Sequence, residues 1–321
     1  MKTSILVERI EHFVPSSDGA SQLRVSLWIP YVPEAELKGV VQIVHGMEEH
    51  IDRYDEFAHF LAQNGFVVGA HDHVGHGKSV VDARDLGHIT LDHGPDVLVE
   101  DVGRVRRALF ERFSGLPYFI FGHSMGSFVT RVYLSRHAEG VKGAIICGTG
   151  NQPYALARSG NMLARAVGAV RGGHHKSKLL DSMGAGGFSK TIENARTPLD
   201  WISVDPAVVD AYIDDPLCGV MFTVGGYAAL TGVVSQAVSP RVAARVPKDL
   251  SMLFIAGAED PVGENGEAVV RAVELYRKAG IKDVSLILYP GMRHEILNEP
   301  GKQKVMDDVL VWVEEHLKEA S

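Results

Sequence analysis

The chain has 321 residues, of which 45% are hydrophobic and 22% charged, a balance typical of globular proteins with a sizeable core. Its formal net charge of -8 argues against a nucleic-acid-binding protein, which would need a basic face. No apolar run approaches the roughly 18 residues of a membrane span. Charged residues interrupt the first nine positions before a signal-peptide core can form, so we expect a cytoplasmic protein with free thiols at Cys147 and Cys218.

The first part of the chain alternates short apolar runs with helical patterns. The apolar runs, which predict strands, are residues 23–27, 39–44, 66–70, 118–121 and 141–147. Between them, apolar residues recur at helical spacing, first around residues 54–61 and then around residues 98–109. Because each helix would carry the chain back to start a neighbouring strand, this alternation predicts a mostly parallel sheet with helices on both faces.

The middle of the chain, residues 149–243, loses this alternation. It contains glycine clusters and scattered apolar helical stretches, such as residues 162–167. Strand and helix patterns return afterwards, with strands predicted at 252–256 and 284–289 and a last helix near the C-terminus. We therefore predict an α/β core formed by residues 1–148 and 244–321, into which residues 149–243 are inserted.

Residues 122–126 read G-H-S-M-G and lie between a predicted strand and a predicted helix. A G-x-S-x-G sequence at such a junction is the pattern of a nucleophile elbow, in which glycines let the backbone turn sharply and expose the serine hydroxyl. The motif alone is weak in a chain with 34 glycines, where Ser124 could simply be a small residue in a tight turn. A nucleophilic role for Ser124 therefore also requires a base and an orienting acid elsewhere in the chain.

A base and an acid follow in the order that a serine nucleophile requires. Asp260 comes directly after the predicted strand 252–256, and His294 follows the strand 284–289. Because parallel strands bring their carboxyl ends to one edge of the sheet, we predict a triad of Ser124, His294 and Asp260. Asp-Pro is also a common turn dipeptide, so Glu259 and Glu295 stay open as alternative acids.

An oxyanion hole is predicted from the turn that follows the strand 39–44. Residues 45–47 read H-G-M and stand where a backbone N–H can point toward the serine. We predict that the N–H groups of Met47 and Met125 hold the developing oxyanion, a contribution of about 3 kcal/mol per donor.

The histidine-rich segment 71–79 has two alternative interpretations, both weaker than a polar loop after a strand. Its H-x-H-x-x-H spacing is similar to that of binuclear metallohydrolases, but Gly75 stands where that pattern needs an acidic residue. Its G-H-G-K-S ending lacks the first glycine of a phosphate-binding loop, because Asp72 occupies that position. We predict no metal and no organic cofactor.

With these residues in place, the chain resembles the monoacylglycerol lipase and lysophospholipase branch of the α/β-hydrolase superfamily. The resemblance covers nearly the whole chain and rests on residues 45–50 with 53–54, 70–79, 122–126, 209–212 with 215–217, and the turns at Asp260 and His294. It implies an α/β-hydrolase fold, with a mostly parallel eight-stranded sheet, helices on both faces and a helical cap at residues 149–243.

The resemblance also implies a function and a substrate site. The expected reaction cleaves a monoacylglycerol to fatty acid and glycerol through an acyl-enzyme, and the alternatives are a lysophospholipase, a short- or medium-chain carboxylesterase, or a non-catalytic ligand-binding protein. The residues that match the polar end of the site are Glu49, Arg53 and His123. The expected partner is a small lipid ester, with transient membrane or micelle contact through the cap and no nucleic acid.

Apolar residues of the insertion are candidates for an acyl channel, and they are Leu163, Met183, Ile192, Met221, Phe222 and Leu230.

Two features of the sequence depart from the family pattern. Ser127 stands where a further glycine usually follows the elbow, and residues 171–188 match nothing recognisable.

Overall fold

The computed structural model describes residues 5–318, which form one eight-stranded sheet and the helices around it. The strands are β1 (Val7–Pro15), β2 (Gln22–Pro30), β3 (Gly39–Val44), β4 (Phe66–His71), β5 (Tyr118–His123), β6 (Val141–Cys147), β7 (Ser251–Gly257) and β8 (Val284–Tyr289). The helices are α1 (Asp55–Gln63), α2 (Gly94–Arg112), α3 (Met125–His137), α4 (Tyr154–Arg171), α5 (Lys178–Met183), α6 (Ala185–Phe188), α7 (Pro206–Asp214), α8 (Val224–Ala237), α9 (Pro240–Ala243), α10 (Glu267–Lys278) and α11 (Lys302–Lys318).

The strands lie in the order β1-β2-β4-β3-β5-β6-β7-β8. β2 runs antiparallel to both β1 and β4, and every other neighbouring pair is parallel. All residues of β3, β4, β5 and β7 are buried, because helices cover the sheet on both faces. The predicted fold class is confirmed.

Strand β1 was not among the strands predicted from the pattern. Its residues alternate between half-buried and exposed, and it pairs only with β2 at the edge of the sheet. The charged side chains of Glu8, Arg9 and Glu11 dilute the apolar signal of this strand. An edge strand that buries one face only partly leaves little hydrophobic periodicity to detect.

Two hydrophobic cores lie on opposite faces of the sheet. One is filled from α2, α3, α8 and α10, with Phe128 and Val273 as examples, and the other from α1 and α11, with Phe57 and Val309. The helices predicted around residues 54–61 and 98–109 are therefore confirmed as α1 and α2, each burying its apolar stripe against the sheet.

The chain between β6 and β7 adds helices α4 to α9 but contributes no residue to the sheet. Helix α8 packs against α2 and α3, and α4 packs against α8, so this segment adds to the core on the face of the sheet that carries α2 and α3. Across residues 5–318, no helix combines the length and hydropathy needed to span a bilayer.

Candidate active site

Ser124 lies at the sharp junction of β5 and α3, with φ of 51° and ψ of −120°. A non-glycine residue at positive φ is strained, and such strain concentrates at functional sites. The flanking glycines are required sterically. A Cβ atom at Gly126 would lie 2.0 Å from the Val44 carbonyl oxygen, and one at Gly122 would lie 2.4 Å from Thr130 Oγ1. The backbone has the geometry expected of a nucleophile elbow.

Ser127, the departure from the family pattern, is fully buried behind the elbow. Its hydroxyl donates a hydrogen bond of 2.6 Å to the carbonyl oxygen of Ser124. The side chain therefore fills the space that a glycine would leave and adds a hydrogen bond to the strained residue itself.

His294 and Asp260 are joined by a hydrogen bond of 2.9 Å between Nδ1 and Oδ2. Both side chains are buried, and the second carboxylate oxygen of Asp260 accepts the Val262 N–H at 2.9 Å.

The alternative acids lie elsewhere, since Glu259 is exposed and Glu295 pairs with Arg53. Among the three carboxylates considered from the sequence, Asp260 is the one that orients this imidazole.

Ser124 and His294 line the same cavity, which has a volume of about 310 Å³. The Trp201 ring packs against His294 at 5.1 Å between centroids. Gly148, at the end of β6, gives the imidazole room, because a Cβ atom there would lie 3.1 Å from His294 Cε1. Within residues 5–318 the Ser124 hydroxyl makes no hydrogen bond in this structure, so its contact with His294 stays a prediction.

The predicted oxyanion turn lies beside the serine. A Cβ atom at Gly46 would stand 3.0 Å from Ser124 Cβ, and the Gly46 N–H donates to the Glu49 carboxylate. Among the described residues we find no hydrogen-bond acceptor for the backbone N–H of Met47 or of Met125. Both donors are available to a ligand, and both residues line the cavity.

Glu49 and His123 form a buried polar cluster at the wall of the cavity. Glu49 Oε1 accepts a hydrogen bond of 2.7 Å from Tyr54 Oη and lies 3.2 Å from His123 Nδ1. Burial alone would raise the pKa of Glu49, but the hydrogen bond and charge of His123 and the charge of Arg53 outweigh it and lower that pKa. The carboxylate is therefore ionised and able to accept hydrogen bonds.

Arg53 lies behind this cluster and is absent from the residues that line the cavity. Its guanidinium pairs with Glu295, approaches Glu49 Oε2 at 3.6 Å and stacks on the Tyr212 ring at 4.7 Å. Sequence reasoning placed Arg53 together with Glu49 and His123 at the polar end. The structure brings the three together, but it gives Arg53 a position from which it holds Glu49 rather than a ligand.

Glu48 also lines the cavity and was not singled out from the sequence. Its backbone is left-handed, with φ of 55°, and its carbonyl oxygen accepts hydrogen bonds from Gly219 N–H at 2.9 Å and Tyr212 Oη at 2.7 Å. Burial, reinforced by the charge of Asp181, raises the pKa of its carboxyl to about 7. No sequence signal marks it, because these contacts come from the segment between β6 and β7.

The candidate acyl-channel residues divide into two groups. Leu163, Met183 and Leu230 line the cavity. Phe222 is instead fully buried in the core, Met221 packs against the same core, and Ile192 packs in a small separate cluster with Trp201. The wall is predominantly apolar and shared by α4, α5 and α8, together with Phe128 of α3.

The histidine-rich segment leaves β4 as a loop, as predicted, and its three histidines are buried. His45, His71, His73 and His76 contact one another ring against ring. Burial lowers the pKa of all four imidazoles, so they are neutral and fill the interior near the oxyanion turn. Within residues 5–318, these four do not form a group with metal-ligand spacing.

The protein family described as serine aminopeptidase, S33, matches residues 35–301 of the chain. The chain belongs to this family. A monoacylglycerol lipase of Mycolicibacterium smegmatis is 30% identical over 315 residues, covering 96% of this chain and 98% of the relative. The human monoglyceride lipase is 26% identical over 285 residues, covering 88% of this chain and 84% of the relative.

Among solved structures, a thermostable carboxyl esterase from Bacillus coagulans in complex with glycerol superposes with a TM-score of 0.90 at 30% identity. The match covers 97% of this chain and 100% of the esterase. The resemblance predicted from the sequence, to the monoacylglycerol-lipase-like branch of the α/β-hydrolases, is confirmed.

Proposed function

We propose that the protein is a serine hydrolase of carboxylic esters that cleaves monoacylglycerols to fatty acid and glycerol. The observation that carries the proposal is the buried His294–Asp260 pair, whose imidazole lines the same predominantly apolar cavity as the strained Ser124. Relatives named monoacylglycerol lipase or monoglyceride lipase align over nearly all of the chain and support this substrate class.

In the acylation step, Ser124 Oγ attacks the ester carbonyl while His294 Nε2 accepts the hydroxyl proton. Asp260 holds the Nδ1 proton and stabilises the imidazolium that forms. The N–H groups of Met47 and Met125 bind the negative charge on the carbonyl oxygen. As the tetrahedral intermediate collapses, His294 gives its proton to the departing alcohol.

In the second half of the reaction, water attacks the acyl group on Ser124. His294 Nε2 now takes a proton from the water and returns it to Ser124 Oγ, which releases the fatty acid. All the proton transfers use protein side chains and water.

The polar end of the cavity suits a glycerol head group. The ionised Glu49 carboxylate can accept hydrogen bonds from an alcohol, and His123 lies beside it at the cavity wall. Arg53 acts as a positioning residue that fixes Glu49 through its charge. The Bacillus coagulans esterase was solved with glycerol, which supports this assignment.

Residues 149–243 form the proposed cap, and their apolar side chains at the cavity hold the acyl chain. Leu163 and Leu230 supply part of this wall, together with Phe128 of α3. Burying an acyl chain there contributes about 0.8 kcal/mol per methylene, which gives the site its preference for lipid esters.

The outer surface of the cap combines apolar and cationic side chains, and we propose that it contacts lipid surfaces that hold the substrate. Met162 and Val170 on α4 and Leu179 on α5 are more than half exposed and do not line the cavity. Residues 149–180 contain five Lys and Arg side chains and no Asp or Glu, in a chain of net charge -8. Such a surface favours anionic lipid. Co-sedimentation with phosphatidylglycerol vesicles should exceed that with phosphatidylcholine vesicles, and equal weak binding to both would contradict the proposal.

A rate panel tests the substrate class. Purified protein is assayed on monoacylglycerols of several chain lengths, lysophosphatidylcholine and short p-nitrophenyl esters, with Ser124→Ala as the blank. We expect monoacylglycerols to be the best substrates. Turnover confined to short esters would favour a carboxylesterase, as the Bacillus coagulans neighbour suggests, and preference for lysophosphatidylcholine would favour a lysophospholipase.

A fluorophosphonate probe separates an enzyme from a non-catalytic binding protein. Labelling that disappears in Ser124→Ala requires an activated serine at that position. A folded protein that resists labelling under native conditions would contradict the catalytic proposal.

A further inference from the structure

A second cluster of reactive side chains lies where the cap segment meets the core. His50 follows the oxyanion turn, whereas Asp215 and Cys218 lie just after α7. Each of the three offers a ligand atom, and these atoms lie within 4.8 Å of one another. His50 and Cys218 are buried, and Asp215 is half-buried. Within residues 5–318, this is the one such group of His, Cys, Asp or Glu side chains.

The His50 imidazole is oriented as in metal sites. Its Nε2 atom faces Asp215 Oδ2 at 2.9 Å, and its Nδ1 atom faces Asp52 Oδ2 at 3.6 Å without a hydrogen-bond partner. Asp52 is itself held by Arg24, at 2.8 and 3.0 Å. A histidine ligand commonly binds through one nitrogen while a carboxylate orients the other, and Asp52 stands in that outer position.

We propose that His50 Nε2, Asp215 and the Cys218 thiolate bind a zinc ion that ties the cap segment to the core. Nitrogen, carboxylate and thiolate donors together form a set that favours Zn²⁺ over Mg²⁺ or Ca²⁺, which prefer oxygen alone. The partly exposed Asp215 side leaves room for water as a fourth ligand. On binding, the Cys218 thiol and the His50 Nε2 atom each release a proton to solvent, while the imidazole keeps its proton on Nδ1, facing Asp52.

The ion would act on the arrangement of the site, with no part in bond cleavage. The same cap segment is attached to the oxyanion turn, since Gly219 N–H and Tyr212 Oη both donate to the Glu48 carbonyl oxygen. Glu48 follows Met47 directly. A metal ion across His50 and Cys218 would therefore fix the loop that presents the Met47 N–H.

The competing interpretation is a simple ion pair between His50 and Asp215, with Cys218 as a buried neighbour. Cys218→Ser decides between them, because an ion pair does not need the sulfur whereas a zinc site loses its softest ligand. Asp215→Asn tests the carboxylate and keeps the side-chain oxygen that accepts the Leu217 N–H at 2.9 Å. Asp214→Asn is the matched control, since it removes the same charge from the exposed neighbouring position.

The experiment uses full-length protein without a histidine tag, freed of metal by a chelator. Zinc binding is measured by competition with a chromophoric chelator, and Co²⁺ is added as a spectroscopic probe. We expect one zinc per chain, a thiolate-to-cobalt charge-transfer band and a zinc-dependent rise in Tm. All three should be retained in Asp214→Asn and lost in Cys218→Ser, with affinity at least about tenfold weaker in Asp215→Asn.

Zinc affinity unchanged by Cys218→Ser, or cobalt bound without the thiolate band, would overturn the proposal, as would the absence of zinc binding by the wild-type protein. Circular dichroism of the metal-free variants establishes that they fold. These readouts do not depend on ester hydrolysis, so a failed metal site and a failed catalytic proposal give different results.

Discussion

The hydroxyl of Ser127 donates a hydrogen bond of 2.6 Å to the carbonyl oxygen of Ser124, three residues earlier and directly behind the expected nucleophile. Ser124 has φ of 51°, so its backbone needs support from its surroundings. The one clear departure from the family at the elbow thus adds a contact to the residue that carries the proposed chemistry.

Replacing Ser127 by alanine should lower the free energy of unfolding by about 1 kcal/mol and slow fluorophosphonate labelling of Ser124 a few-fold. Ser135→Ala is the matched control, because Ser135 makes the same kind of bond to Val132 O, at 2.7 Å, in the same helix. Urea unfolding and labelling rates measure both variants. Equal slowing of labelling in the two would show that the bond behind Ser124 has no special effect.

Because Asp260 is hydrogen-bonded to His294, we expect a substitution that removes only the charge of Asp260 to lower kcat strongly. Asp260→Asn keeps the shape but loses the charge that holds the Nδ1 proton, so kcat on a p-nitrophenyl ester should fall by about 10³- to 10⁴-fold. Glu259→Gln serves as the control. This adjacent side chain is exposed, so its replacement should leave kcat unchanged. A Glu259→Gln defect with near-normal Asp260→Asn activity would reverse the assignment of the acid.

Much of the fold was predictable because burial imposes a pattern on the sequence. Strands such as β3 and β5 are wholly buried, so they appear as short apolar runs between polar or glycine residues. Helices such as α10 show one apolar face. The edge strand β1 was not predicted because none of its residues is fully buried, so it does not appear as an apolar run.

The site residues also differ in how far the sequence could predict them. Ser124, Asp260 and His294 stand directly after strands, and parallel strands bring such turns to one edge, so their proximity follows from topology. Glu48 and Arg53 could not be placed in this way. Both residues contact Tyr212, which lies in the segment between β6 and β7. This segment adds no strand to the sheet, so the order of the strands does not indicate which of its residues reach the site.

The glycines of the elbow predict a steric effect on stability. Gly126→Ala would place a Cβ atom 2.0 Å from the Val44 carbonyl oxygen, a backbone atom that cannot move aside cheaply, so the variant should be severely destabilised or fail to fold. Gly103→Ala in α2 is the control. Its Cβ would meet only the Tyr133 side chain, at an ordinary 3.4 Å from Cε2 and 3.9 Å from Oη, and replacing a helical glycine should stabilise by up to about 1 kcal/mol. Thermal unfolding of both variants checks the contrast.

Glu299 predicts a pH dependence of stability near the site. It is fully buried, and its carboxylate accepts hydrogen bonds from Arg293 N–H at 2.8 Å and Ser203 Oγ at 2.9 Å, which joins the loop of His294 to the segment between β6 and β7. Burial raises the pKa of this carboxyl above its ordinary value, against the effect of these hydrogen bonds. The folded state therefore holds the proton more tightly than the unfolded state.

The stability that Glu299 contributes is full below the unfolded pKa and is lost as pH rises through the folded pKa. Glu299→Gln should reduce this decline, measured by urea unfolding between about pH 4 and pH 7. Glu267→Gln, at an exposed position of α10, should leave the wild-type slope unchanged. A steeper slope in Glu299→Gln would contradict the raised pKa.

Two neighbouring residues of α4 allow a direct test of the acyl cavity. Leu163 lines the cavity, whereas Met162 is 63% exposed and is not among the lining residues. Leu163→Trp should fill part of the space of about 310 Å³ and lower kcat/KM for long-chain monoacylglycerols by about tenfold, equivalent to about 1.4 kcal/mol, while short esters are nearly unaffected. Met162→Trp makes the same kind of addition outside the cavity and should leave the chain-length profile unchanged. If both variants lose long- and short-chain activity in parallel, the cavity beneath α4 does not hold the acyl chain.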